Sequence, residues 1–339
     1  MSIRTACTKV LAPVMAPALA GLVMAGALPA LPARAVSPAL HQTARIALGA
    51  TSDIFTNIFT EAPDGTVFYS KGPVVWAVAG NSAPKVAVHA GGKVMALAAN
   101  SKNLFVQTGL TVTEYARAHG SAVRHWKLTS PVTPITLAGL ISVGSTLWSW
   151  TDWGTDSSGF EFARFSRISI SSPAVHIIDK QAFPSDVTAD SSGLYFQDAR
   201  GRDNTGFLVH AAPGGASHAR KGPVGWPVAL AGGRLYQLSF HNSGHQFIDG
   251  FSKTSLARVS SARVSDADRN IAGTKLGLLV LTATCSKLTC PNATVSKLAG
   301  NGKASGKLGV PHAFELLSGP DGAVVEFTGG HMFLVRIGS

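Results

Sequence analysis

Residues 190–198 read DSSGLYFQD, a turn followed by a short apolar strand, and close relatives recur along the chain. APDGTVFYS stands at 62–70 and GPDGAVVEFT at 319–328. Aligning the strands gives seven: TVFYS (66–70), NLFVQT (103–108), TLWSWT (146–151), GLYFQD (193–198), RLYQLS (234–239), GLLVLT (277–282) and AVVEFT (323–328). Each has an aliphatic residue near its start: Val67, Leu104, Leu147, Leu194, Leu235, Leu278 and Val324. The spacings between these anchors are 37, 43, 47, 41, 43 and 46 residues, the period of a unit of about four short strands.

The rest of each unit fits that size. A weaker strand precedes every anchor, from NIFTE (57–61) and VMALAA (94–99) to FELLS (314–318). Asp64-Gly65, Gly193 and Asp321-Gly322 supply the residues that tight hairpin turns prefer. A third strand follows with the pattern hydrophobic–x–basic–hydrophobic: YARA (115–118), FSRI (165–168), LVHA (208–211), LARV (256–259), VSKL (295–298) and LVRI (334–337). Its basic residues, from Arg117 to Arg336, are expected to cover strand edges or pair between units, a structural role. Beyond the N-terminal segment no long helical periodicity is present. The expected fold is all-β, a seven-bladed β-propeller of four-stranded blades. The chain stops after a third strand, so ARIAL (44–48), just ahead of the first blade, is expected to close the ring as the outermost strand of the last blade.

These turn-plus-strand units resemble those of secreted propellers of the NHL, TolB and streptogramin-lyase kind, in which a "PDG-apolar-aromatic" repeat is common. The resemblance spans nearly all of 42–339, but its motif is a blade consensus that implies the fold and no activity. WD-repeat signatures, kelch Gly-Gly pairs and sialidase Asp-boxes are absent at repeating positions.

Arg4 and Lys9 precede an Ala-rich apolar run from Val10 to about Leu31, and Ala33-Arg34-Ala35 offers small residues where a signal peptidase reads. Residues 1–35 therefore read as a signal peptide and 36–339 as the propeller domain, secreted to the extracellular space or cell wall. Pro13, Pro17 and Pro29 argue against a membrane anchor, and no later segment is apolar enough to span a bilayer. Removing Arg4, Lys9 and Arg34 leaves 26 basic against 18 acidic residues and lowers the formal charge from +11 to +8. With no run of adjacent Lys or Arg, the excess reads as spread around the surface, and nucleic acid is not an expected partner. The two remaining cysteines, Cys285 and Cys290 in TCSKLTCPN, are expected to form a loop-tightening disulfide in an exported protein.

In a propeller the loops from second to third strand and from fourth to first strand share one face. Blades 3 to 6 carry the long ones: TDWGTDSSG (151–159), DARGRDNTG (198–206), FHNSGHQFIDGFSK (240–253) and TATCSKLTCPN (282–292). Long loops on a rigid scaffold are where function concentrates. Trp150 and Trp153 could stack on sugar rings, Asp152 could accept hydrogen bonds, and Arg200 and Arg202 beside Asp203 could grip an anion. His241 and His245 lie on the longest loop. No metal or cofactor is expected: the two histidines fall in a loop, and DADRN (266–270) departs from a calcium loop at Ile271 and Gly277. No G-x-S-x-G elbow is present. The leading expectation is a monomeric, non-catalytic module that binds an acidic or neutral glycan, a wall polymer or a protein through these loops. The alternative is an extracellular lyase or hydrolase, which requires a polar channel where histidine and carboxylates converge.

Overall fold

The computed structural model describes residues 39–51, 57–130, 138–155, 161–172, 174–182, 184–198, 205–223, 225–241, 244–285, 290–299 and 303–339. The chain divides into two units, 1–36 and 37–339, and every described residue lies in the second. No helix among the described residues is long and apolar enough to cross a membrane.

The described residues form seven four-stranded antiparallel sheets, the blades of a β-propeller. In each, the weaker strand is innermost, the anchor strand is second, and two further strands lead outward. The inner strands of blades 1 to 7 are Phe59–Glu61, Ala96–Ala99, Ala138–Val143, Pro184–Asp190, Gly225–Ala231, Asp268–Thr274 and Ala313–Leu317. Each packs against the inner strands of both neighbouring blades, and Ala313–Leu317 meets Phe59–Glu61, so the ring is closed. The closing device is the expected one. His41–Ala50 pairs antiparallel with His331–Gly338 as the outermost strand of blade 7, with Arg45 opposite Val335 and Ile46 opposite Leu334.

The seven anchors explain why this sequence forms blades. All are buried, and the core consists of seven apolar clusters, one for each interface between successive blades. Between blades 2 and 3, for instance, Phe105, Val112 and Trp126 pack against Leu140, Leu147 and Ile168. Because both faces of a blade are covered, its strands lose the apolar–polar alternation of a half-exposed sheet. The inner strands of blades 5 and 6 approach closely. A Cβ at Gly273 would overlap the Leu230 carbonyl, so only glycine permits that spacing.

Three strand assignments from the sequence are corrected. The third strand of blade 5 is Gln246–Phe251, and LARV runs from the following turn into the outer strand, which Arg258 opens (Arg258–Arg263). The 14-residue stretch 240–253 is therefore no long loop but a hairpin turning at 241–245, where Gly244 adopts φ 75°. TDWGTDSSG is likewise largely strand, since the second strand of blade 3 runs Thr146–Thr155 and the third resumes at Glu161. In blade 2 the third strand ends at Ala116, which leaves Arg117 in the turn.

Two of the six basic positions bond across blades, while His210 and Arg258 find partners within their own blade. Arg117 of blade 2 reaches Asp64 in the first turn of blade 1 (2.7 Å), and Arg336 of blade 7 donates to the Gly65 carbonyl of the same turn (2.7 Å). The positive charge is not evenly scattered. Every outermost strand carries a Lys or Arg, and Asp179 is the one acid in those seven strands. The inner strands hold Glu61, Asp186, Asp190, Asp268 and Glu315 against Arg269. Cationic side chains on outer strands blunt the unpaired edges that would otherwise template aggregation.

Candidate functional site

The axial cavity, of about 360 Å³, is walled by the inner strands. Apolar residues such as Ile58 and Met95 outnumber polar ones along it, yet its exposed surface is more polar than apolar, because side chains such as Leu140 and Val228 are buried between blades; Glu61 and Glu315 are its acids, and no histidine lines it among the described residues. Trp150 belongs to this wall rather than to a loop. It sits half-buried in the second strand of blade 3, its indole filling the space a side chain at Gly139 would need, and it packs 6.2 Å from the Phe165 ring.

The face formed by second-to-third and fourth-to-first connections is built differently. Asp152 and Trp153 lie on the extended strand of blade 3, where Asp152 pairs with Ala163 at a bulge; their side chains fall outside the description. Arg200, Arg202 and Asp203 lie outside the described residues. His241 and His245 flank the turn of blade 5, joined by a backbone bond from His241 N to the His245 carbonyl (3.3 Å). Each histidine has its own aspartate. His241 Nε2 lies 2.8 Å from Asp249 Oδ2, and its ring stacks on Phe247 at 4.1 Å.

His245 is the exposed one. Its Nδ1 stands 3.2 Å from Asp266 Oδ2 and 3.0 Å from an Arg263 nitrogen. In the neutral ring Nδ1 accepts from Arg263, and when protonated it donates to Asp266. Asp266 also accepts from the Gln246 N–H (3.0 Å), and this bond, with His245 beside it, holds its carboxyl below the usual range. Sequence reading missed Arg263 and Asp266: they come from the outer strand of blade 5 and the connection after it, and only folding brings them to the hairpin.

The same connection continues into blade 6. Ala283 N donates to the Ala267 carbonyl (2.9 Å) and Arg269 Nε to the Ala283 carbonyl (3.0 Å), joining it to the loop that carries the cysteines. Cys285 and Cys290 form the expected disulfide, with Cys290 buried in the cluster between blades 6 and 7. Closing so short a loop restrains few unfolded conformations, so Cys285→Ala/Cys290→Ala is expected to cost about 2 kcal/mol. A denaturant midpoint measured for the variant and wild type under non-reducing conditions checks this.

Among the described residues no group of three His, Cys, Asp or Glu side chains is placed to hold a metal ion. Among the described residues of this face, the blade 5 hairpin and the connection after it present His245, Arg263 and Asp266 to solvent.

Neither protein-family models nor curated protein sequences match this chain. Solved structures do. The β-propeller domain of Cps50 (Swd1) from Myceliophteria thermophila is similar at 12% identity over 86% of this chain and 98% of that one, with a TM-score of 0.56. The WD40 β-propeller domain of Doa1 is similar at 10% identity over 88% and 97%, with a TM-score of 0.53. At such identities the likeness shows the fold alone. The chain is a seven-bladed β-propeller, an architecture suited to a binding scaffold. The likeness to NHL, TolB and streptogramin-lyase blades goes no further than that fold.

Proposed function

We propose that this chain is an exported, non-catalytic binding module that retains a glycan, wall polymer or protein on the second-to-third-strand loop face of blades 3 to 6. One observation carries the reading: His245, Arg263 and Asp266 gather at the exposed hairpin of blade 5 and the connection after it, whereas no described histidine lines the axial cavity. Catalysis in the channel would call for a general base or nucleophile aimed into it, and the described lining offers two carboxyl groups without a histidine. Export follows from the reading of residues 1–35 as a cleaved leader. Outside the cell, polymers rich in hydroxyl and anionic groups suit a face bearing His245 and Arg263.

The test is retention of residues 36–339 on insoluble cell-wall material at low and high salt, beside Trp153→Ala/His245→Ala/Arg263→Ala. Wild type is expected to stay bound at high salt, and the variant to lose at least tenfold in affinity with an unchanged unfolding midpoint. Equal retention of the two proteins would remove the loop face from the function. Retention that high salt abolishes for both would reduce the interaction to diffuse charge.

A further inference from the structure

We propose that the protein has a second binding site, a cleft between the outer halves of blades 4 and 5 that accepts one acidic sugar residue. The cleft has a volume of about 240 Å³ and lies apart from both the channel and the hairpins of the loop face. The proposal does not depend on what that face binds.

The cleft exists because the seam between these blades changes character from axis to rim. Near the axis, Tyr195, Val228 and Leu235 fill it with apolar side chains. Farther out, the register places Arg220 opposite Leu208 and Gly222 opposite Gly206, so Arg220 and Gly222 share the blade face turned toward blade 5. Neither seals the seam: Gly222 has no side chain, and a Cβ there would meet nothing within 4 Å. Blade 5 answers with another cation, Arg258.

Four features give the cleft its chemistry. Arg220 and Arg258 make it cationic, and Lys221 borders it from the other face of its strand. Arg220 has no hydrogen-bond or ion-pair partner among the described residues. Arg258 is steadied by Asp249 Oδ1 at 3.7 Å, a buried oxygen with no hydrogen-bond partner of its own, and its own side chain is nearly half exposed. Leu208, Phe251 and Leu256 supply an apolar wall. At depth lies Gln237. Its Nε2 donates to Gln197 Oε1 and to the Gly225 carbonyl, which leaves its Oε1 as the acceptor for an incoming hydroxyl.

The walls are also held in place before any ligand arrives. The Gln237–Gln197 bond joins the two blades, and Lys253 of blade 5 bonds Asp190 of blade 4 at 2.5 Å. A preformed site gives up little ordering entropy on binding.

A cation for a carboxylate, an acceptor for a hydroxyl and an apolar wall for a ring face together describe a sugar acid. Free phosphate would use the cations alone, since its oxygens mainly accept and would face the Gln237 oxygen unfavourably. Pockets for drug-sized ligands start near about 300 Å³, so this cleft holds one ring rather than a chain. Edge protection accounts for cations on an outer strand. It does not account for an arginine turned to the neighbouring blade across an unfilled seam.

The experiment titrates residues 36–339 with D-glucuronate, D-glucose and inorganic phosphate by calorimetry, and repeats the series with Arg220→Gln/Lys221→Gln. Wild type is expected to bind glucuronate saturably, at least tenfold more tightly than glucose or phosphate, and the double variant to lose at least tenfold with its unfolding midpoint unchanged. His245→Ala/Arg263→Ala is expected to bind glucuronate like wild type, so failure of the loop-face reading leaves this result standing. Phosphate binding as tightly as glucuronate, no saturable glucuronate binding, or an unaffected double variant would each overturn the proposal.

Discussion

Arg336→Ala is expected to destabilise the propeller by about 3–5 kcal/mol, the range for removing one partner of a buried charged network. The guanidinium is buried at the seam where blade 7 meets blade 1. It donates to the Gly65 carbonyl at 2.7 Å and to the Val78 carbonyl at 3.1 Å, and lies 3.8 Å from Glu61 Oε1. Alanine strands two carbonyls and a carboxyl away from water at the interface where the last blade meets the first. Arg336→Lys retains the charge but not the fork that spans two carbonyls, and is expected to recover less than half of the loss. Urea midpoints and slopes for the three proteins decide it. A loss below about 1 kcal/mol would mean that apolar packing alone holds the seam.

Glu61 makes stability at this seam depend on pH. Its side chain is fully buried and its pKa is pushed up to about 7, chiefly by burial, despite a hydrogen bond from the Asp321 N–H and the nearby Arg336. In the unfolded chain the value is about 4.5. Because the folded value is the higher one, this group's contribution is fully present below about pH 4.5. It is lost as pH rises toward 7, with no further change above that. At 1.36 kcal/mol per unit the whole change is on the order of 3 kcal/mol. Subtracting wild type from Glu61→Gln removes the other titrating groups, so the variant should gain on wild type steadily across that window. A difference that stays flat with pH would show that Glu61 is ionised throughout. The two predictions are coupled. Without Arg336 the carboxyl loses a charge that favours ionisation, so Arg336→Ala should cost more at pH 8 than at pH 5.

Neither partner of this pair could be recognised in the sequence. Arg336 was legible as one of six recurring basic residues, expected to cover strand edges or to pair between units, with no sign of its partner. Glu61 was one acid at the end of a weak strand, and nothing local announces that Gly319 and Asp321 enclose it from the opposite end of the chain. The same limit applies to the hairpin of blade 5. His241 and His245 were visible as neighbours, but the stretch around them read as a loop because QFIDGF interrupts its apolar run with Asp249. That aspartate is tolerated inside because it faces blade 4 and bonds His241.

What the sequence by itself determined is the periodic part: seven anchors, turns at Asp-Gly and Gly, a four-stranded unit, and closure by 44–48. Those features depend on local turn chemistry and on each blade burying two faces, and both repeat at a fixed interval. Only the tertiary structure decided what happens between blades. The Arg336–Glu61 seam, the histidine–aspartate pairs of blade 5 and the cleft between blades 4 and 5 all join residues from different blades or from strands that local pattern misassigns. Such contacts are set by the rotation that carries one blade onto the next, and no period in the chain encodes which side chains that rotation brings face to face.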